Sequence, residues 1–563
     1  MKQPLKKGDF MKVFQEKKRI LFALFTLFTS SISVSAPRLT IIFVADQFAY
    51  HYIPRLDPFL RGGIRELIDY GVFYQNAHYP HAMPATATGH AALNTGCFAK
   101  DHGFIGNKWF DQSGKKIRCT DDPSPSAAIF AKDGSLKKGT GASAKNLVVE
   151  GVSDQCALQA RPGGNNKVFS FSYKDRAAIA TAGDLGKAVW FDPTQGYFTT
   201  SKAYFEKFPT WLAKFNKEKK LDQPRTIKWE LHYPEKKGAY DARNAKDYSV
   251  TTFKKPLIGT NISIPNPKDK EEPYEFFAFL PESNQVLLDL ALTCIDKNLS
   301  QNKNDRLVIW ICFSATDKLG HRYGPNCMEM FDLIYQLDAQ MKKFMKKAET
   351  RVKKRDILYA FTADHGIAPI PELAYKEGIK SARRIDEKDL VKRANALIAK
   401  KHNINGLIHK YKTPQFYFNQ KTFASLGKKK QTQVVNDLKT FFRNEPGIKN
   451  VWTTEELRAS IFAPTDIELL YKNQIFPGRS GQLAIQVLPF CHTTKYPAGT
   501  AHRTPYEHNT HVPVIFYQKG VLEEKKIAKR VSMLQFANSL AQALDVPNAP
   551  ASTFDVLPEL FTQ

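Results

Sequence analysis

Five short apolar runs constrain this chain more than any other feature: Leu39–Ala45, Val168–Tyr173, Leu307–Phe313, Ile357–Phe361 and Val512–Tyr517. Each is nearly continuous and rich in β-branched residues rather than alternating. Such runs fit strands buried on both faces, as in a parallel sheet covered by helices. Helical spacing lies between them. Met330, Leu333, Ile334, Leu337 and Met341 mark one helix face. Val286, Leu287, Leu290 and Cys294 mark another, with Ser283 as its expected cap. The predicted fold class is therefore α/β. Two stretches break the rhythm. Residues 198–280 are rich in Lys, Tyr and Pro, and residues 372–495 read as a small α/β unit with a helix near Gln431–Phe442. Both are expected to be insertions in one core domain rather than independent domains, and 563 residues leave room for either arrangement.

The first thirty-six residues read as a secretion signal: Lys17-Lys18-Arg19, an apolar run from Ile20 to Phe28, then Ser33-Val34-Ser35-Ala36 before a cleavage site. The run is short for a membrane span, so a protein exported past the inner membrane and free of stable membrane insertion is expected, in the periplasm. Residues 1–36 hold seven Lys/Arg and two Asp/Glu, so their removal takes the formal charge from +27 to +22. The lysines are scattered, as in Lys217-Glu218-Lys219-Lys220 and Lys428-Lys429-Lys430, and no nucleic-acid motif accompanies them. No specific nucleic-acid partner is expected, although the positive field favours anionic substrates. Of seven cysteines, Cys119 and Cys156 are the expected pair, and no CxxC motif occurs.

The chemistry lies just after the apolar runs. Asp46 follows the first, Lys174-Asp175-Arg176 the second, Asp317-x-x-x-His321 the third and Asp364-His365 the fourth. In open α/β sheets ligands bind at the carboxyl ends of strands, so four strands would deliver charged groups to one edge. Asp alone often caps turns; four in concert point to a site. Aspartate and histidine are zinc ligands. Three Asp and two His exceed what one four-coordinate ion with an open position needs, which implies two Zn2+ about 4 Å apart, as in phosphoryl transfer. In Pro84-Ala85-Thr86-Ala87-Thr88-Gly89-His90, a helix pattern starts at Thr86. Thr86 reads either as an ordinary N-cap or as a nucleophile whose alkoxide is favoured by the helix dipole and by a bound metal.

The stretches VADQFAYHYI, PATATGHAALNTGCFAKDHGFIGNKWF, SYKDRAAIATAG, TDKLGH, TADHG and TAHRTPYEHNTHVP, in this order, resemble the alkaline phosphatase superfamily, and within it the phosphate-irrepressible, PafA-type alkaline phosphatases. The resemblance implies a mostly parallel sheet flanked by helices, with the two insertions forming a cap. It implies that Asp46, Thr86, Asp364 and His365 hold one zinc, with Thr86 as nucleophile. Asp317, His321 and His502 would hold the other. Asn107, Lys174 and Arg176 would contact phosphoryl oxygens. The family has His-Gly at His502, whereas Arg503 follows here, and His511 is the alternative ligand. His78, His81, His90 and His102 are expected to be structural. The implied activity is hydrolysis of small phosphate monoesters through a phospho-threonine. A phosphodiesterase or nucleotide pyrophosphatase of the same superfamily is the alternative, disfavoured because Lys174 and Arg176 suit a dianion. A sulfatase lacks its Cys/Ser-x-Pro-x-Arg setting, a phosphoglycerate mutase fits poorly with an export signal, and a binding protein without catalysis would not need the ligand set.

Overall fold

The computed structural model describes residues 36–241, 248–266 and 268–561; the expected signal segment lies outside them, Ala36 excepted. The apolar runs form the spine of a ten-stranded sheet. In chain order its strands are β1 (Leu39–Ala45), β2 (Val72–His78), β3 (Asn166–Ser172), β4 (Lys187–Asp192), β5 (Tyr197–Thr199), β6 (Arg306–Phe313), β7 (Ile357–Thr362), β8 (His511–Tyr517), β9 (Lys525–Ile527) and β10 (Val531–Ser532). The spatial order is β9-β2-β8-β7-β1-β6-β3-β4-β5, with β10 beside β2.

Strands β1, β3, β4, β6 and β7 are mutually parallel. The register sets Ala45 opposite Phe313, Val44 opposite Thr362, and Cys312 opposite Ser172. Four carboxyl ends therefore finish at one level. Every residue of β1, β6 and β7 is buried, as expected of strands covered on both faces. One expectation is corrected. β8 runs antiparallel to both β7 and β2. Full burial reads alike in either direction, so apolar continuity cannot set strand polarity. β2 (VFYQNAH) was not legible as a strand, because Gln75 and Asn76 interrupt its apolar run where the register shifts.

The helices that matter for the site are α1 (Thr86–Thr95), α2 (Asp175–Ala182), α3 (Pro281–Asn298), α4 (Ala315–Tyr323) and α5 (Met328–Glu349). α5 buries Met330, Leu333, Ile334, Leu337 and Met341, the predicted face, and packs on α3. α3 begins at Pro281 with Leu280 as its cap; Ser283 lies inside the first turn and bonds back to the Leu280 carbonyl. The expected Ser283 cap is thus displaced by proline, whose fixed φ and missing N–H suit the first helical position.

Within 198–280, Trp229, Ile262, Ile264 and Phe277 join the main apolar core. Within 372–495, the strands Ile408–Lys412, Gln415–Phe418, Leu483–Val487 and Ile448–Thr453 form a separate four-stranded sheet. Helix Lys428–Arg443 lays Val434, Leu438 and Phe442 into a core of its own there. No described helix is long and apolar enough to cross a membrane. All seven cysteines are buried and free, so Cys119 and Cys156 are not paired. They belong to different apolar clusters, Cys119 beside Trp109 and Cys156 with the main core.

Candidate active site

The parallel strands end where the chemistry collects. Asp46 leaves β1, Lys174 precedes α2, Asp317 sits in the first turn of α4, and Asp364-His365 follow β7. α4 places Asp317 and His321 four residues apart on one face, with His321 Nε2 3.2 Å from Asp317 Oδ1. His502 Nε2 lies 3.7 Å from the same oxygen. His365 Nε2 lies 3.3 Å from Asp364 Oδ2 and 3.6 Å from Asp46 Oδ1. Two groups result whose donor atoms all fall within 4.8 Å of one another: Asp317, His321 and His502, and Asp46, Asp317 and His365.

The histidine tautomers decide what this arrangement requires. His321 Nδ1 lies 2.9 Å from the Thr500 carbonyl, His502 Nδ1 2.7 Å from that of Pro84, and His365 Nδ1 2.9 Å from that of Gly366. A carbonyl only accepts, so each Nδ1 carries a proton and each Nε2 is the ring atom turned toward carboxylate oxygens. Burial, then neighbouring histidines for His502, pushes the His365 and His502 rings away from protonation. At these distances a cation, a proton or a metal ion, is needed between each Nε2 and the carboxylate oxygens it faces. Asp46 Oδ1, Asp364 Oδ2 and His365 Nε2 are buried and make no hydrogen bond. The donor set, held from behind by backbone carbonyls, fits divalent metal.

Charge gives the same answer. Burial, then the carboxylates of Asp317 and Asp364, raises Asp46 well above the usual carboxylate range, against the opposing pull of Lys174 and His90. Burial also works against ionised Asp317, yet Lys174 and His321 outweigh it and hold Asp317 well below that range. Asp364, likewise buried, is brought down to about 2 by His365 and His90. Lys174 Nζ donates to Asp46 Oδ2 at 2.5 Å and to Asp317 Oδ2, and lies 3.5 Å from Thr86 Oγ1. Three carboxylates crowded in one buried cluster repel one another, and Asp46 is pushed toward its neutral form for that reason, so a bound cation is favoured there.

Thr86 is the first residue of α1, and the extended Ala85 occupies the cap position before it. The ordinary cap reading therefore does not hold. Asn107 Oδ1 accepts from the Ala87 N–H at 2.9 Å, which leaves its amide N–H groups as donors. Thr86, Asn107, Arg176, Asp317, His321 and His502 line one cavity of about 240 Å³. Thr252, Glu275 and Phe279 from the first insertion, Arg384 and Thr494 from the second, and Tyr496 just after it complete its wall.

His511 lies elsewhere, its Nε2 2.8 Å from the Gln75 carbonyl and its ring stacked on Tyr50 and His78. Of the two alternatives it is His502 that meets Asp317 and His321. His78 has both ring nitrogens engaged, by Asn76 and Thr510, and His102 Nδ1 accepts from the Phe104 N–H. His81 stacks on Tyr79.

Two residues of the site escaped the sequence reading. Gln47 donates its backbone N–H to Asp364 Oδ1 at 3.0 Å and its amide to Asp317 Oδ1 at 2.8 Å. It does so at φ 69, a conformation costing a non-glycine residue about 1 kcal/mol or more. His90, one helical turn after Thr86, places Nδ1 2.9 Å from the Thr86 carbonyl and 3.2 Å from Asp364 Oδ2. Burial opposes its charge, but Asp364 and Cys312 raise it well above the ordinary imidazole value. His90 thus orients Asp364. The helical spacing from Thr86 was the available signal.

The chain matches the family described as type I phosphodiesterase / nucleotide pyrophosphatase over residues 40–513. Among curated relatives, "Alkaline phosphatase PafA" of Elizabethkingia meningoseptica is 27% identical over 87% of this chain and 88% of its own. "Alkaline phosphatase PhoV" of Synechococcus elongatus is 27% identical over 94% of each. A crystal structure of wild-type alkaline phosphatase PafA superposes with a TM-score of 0.80 at 24% identity, covering 94% of this chain and 100% of that one; it shares the fold. The chain belongs to the type I phosphodiesterase / nucleotide pyrophosphatase family, within the alkaline phosphatase superfamily.

Proposed function

We propose that this protein hydrolyses small phosphate monoesters at a two-zinc centre, with Thr86 as nucleophile, after export to the periplasm. The observation that carries the reading is the trio of histidines, each held through Nδ1 by a backbone carbonyl, whose Nε2 atoms face buried carboxylates beside Thr86. Asp46, Thr86, Asp364 and His365 would hold one ion, and Asp317, His321 and His502 the other. When bound, the ions would supply positive charge that lowers the pKa of the threonine hydroxyl and stabilises the charge that develops in phosphoryl transfer.

The chain's own groups do the rest. Thr86 Oγ1, at the positive end of α1 and 3.5 Å from Lys174 Nζ, attacks phosphorus in line. The Oγ–P bond forms, the bond to the leaving oxygen breaks, and an alcohol departs. Water then cleaves the phospho-threonine and restores the hydroxyl. Arg176 forks onto two non-bridging oxygens while Lys174 acts as a point charge. Asn107 adds neutral donors. The two insertions, which share the cavity wall, serve as a cap over the leaving group.

These three phosphoryl contacts suit a dianion and leave little room for a second ester arm. The family's description as phosphodiesterase is the specific reason to test the other class. The kcat/KM for p-nitrophenyl phosphate is expected to exceed that for bis-p-nitrophenyl phosphate by at least about tenfold. A faster diester would move the substrate class and leave the site geometry standing.

A further inference from the structure

Arg503 stands directly after His502 and lines the cavity with Thr86, Asn107 and Arg176. Its φ is 88, the left-handed region that favours glycine. Among the described residues its guanidinium makes no hydrogen bond and no ion pair. The other cations of the wall are engaged. Lys318 pairs with Glu275, Arg384 with Glu372 and the Gly499 carbonyl, and Arg322 lies over the Phe253 and Phe279 rings. Within electrostatic reach of Arg503 is a second basic group that makes no ion pair among the described residues, Lys412 of the insertion sheet. The Arg503 charge, then burial, pushes its ammonium down to about 7. The acidic groups within electrostatic reach of Arg503 are Glu387 and Asp317, and neither forms an ion pair with it.

Resting on the phosphatase reading above, we infer that Arg503 is a specificity residue that receives a second anionic group, phosphate or carboxylate, on the part of the substrate that leaves. The reacting phosphoryl group has Lys174, Arg176 and Asn107. Arg503 lines the same cavity, and Glu387, Tyr411 and Lys412 of the second insertion lie within its electrostatic reach. A planar guanidinium without partners matches a two-oxygen anion. An arginine held in a glycine conformation, turned into a substrate cavity and left unpaired, is costly to the folded chain unless a ligand uses it.

The test uses the full exported enzyme with zinc and two matched pairs of esters. Glycerol 3-phosphate against 3-phosphoglycerate isolates a carboxylate arm; glucose 6-phosphate against glucose 1,6-bisphosphate isolates a phosphate arm. The wild type is expected to favour the acidic member of at least one pair by about tenfold or more in kcat/KM, and the pair that shows it identifies the anion. Arg503→Gly, which suits the backbone at φ 88, and Arg503→Gln, which keeps the length, should each cut that preference by about tenfold. No preference in the wild type, or equal losses on both members in the variants, would overturn the inference while leaving the phosphatase reading intact. A wild type inert toward all four esters overturns both.

Discussion

Replacing Thr86 with alanine removes the hydroxyl at the start of α1 and leaves the cap position, held by Ala85, untouched. Turnover of p-nitrophenyl phosphate is expected to fall at least about a thousandfold, with the melting temperature nearly unchanged and the three histidines and three aspartates still in place. Near wild-type rates in Thr86→Ala would refute the nucleophile. At the same scale, much of the site was legible in the chain. Asp46, Lys174, Asp317 and Asp364 each follow a buried apolar run, and strand ends on one edge must converge. Gln47 was not legible, because its role depends on a left-handed turn that a glutamine gives no sign of. His90 was read as structural. Its contact with Asp364 exists only once α1 is laid against the β7 end. Asp364 oriented by His90 should lose its place in His90→Ala, and the expected mark is weakened metal retention against a graded chelator series, about tenfold in affinity.

At the scale of elements, α1 must come unusually close to the segment after β7. A Cβ at Gly89 would stand 2.1 Å from the Asp364 carbonyl oxygen. Gly89→Ala is therefore expected to destabilise by about 3 kcal/mol and to drive Thr86 away from Lys174, lowering both melting temperature and kcat. A stable, fully active Gly89→Ala would contradict the packing described here. Strand existence was read correctly from apolar continuity, and polarity was not: Val512–Tyr517 of β8 is as buried as β1, yet β8 is antiparallel to its neighbours. The helix near Gln431–Phe442 was legible because Val434, Leu438 and Phe442 keep a helical period. The order of the strands they cover is not encoded in any local pattern.

For the whole molecule, buried neutral histidines set the response to acid. Burial pushes His81, and burial with Arg384 pushes His492, down to about 3. The unfolded chain takes up these protons near the ordinary value of about 6.5, and the folded chain does not until about 3. Stability is thus full above about pH 6.5 and declines as pH falls from there toward 3. Differential scanning calorimetry should show a Tm lower by about 5 °C at pH 5 than at pH 7.5; a flat or rising Tm over that window would exclude this role. The basic surface carries the remaining long-range charge, and at the site the carboxylates dominate. Whether cations complete that site is settled by one determination: metal content of the zinc-equilibrated, dialysed protein by elemental analysis. About two zinc per wild-type chain and about one in the His321→Ala/His502→Ala double variant are expected. A well-folded wild type that retains no metal would contradict the two-ion centre.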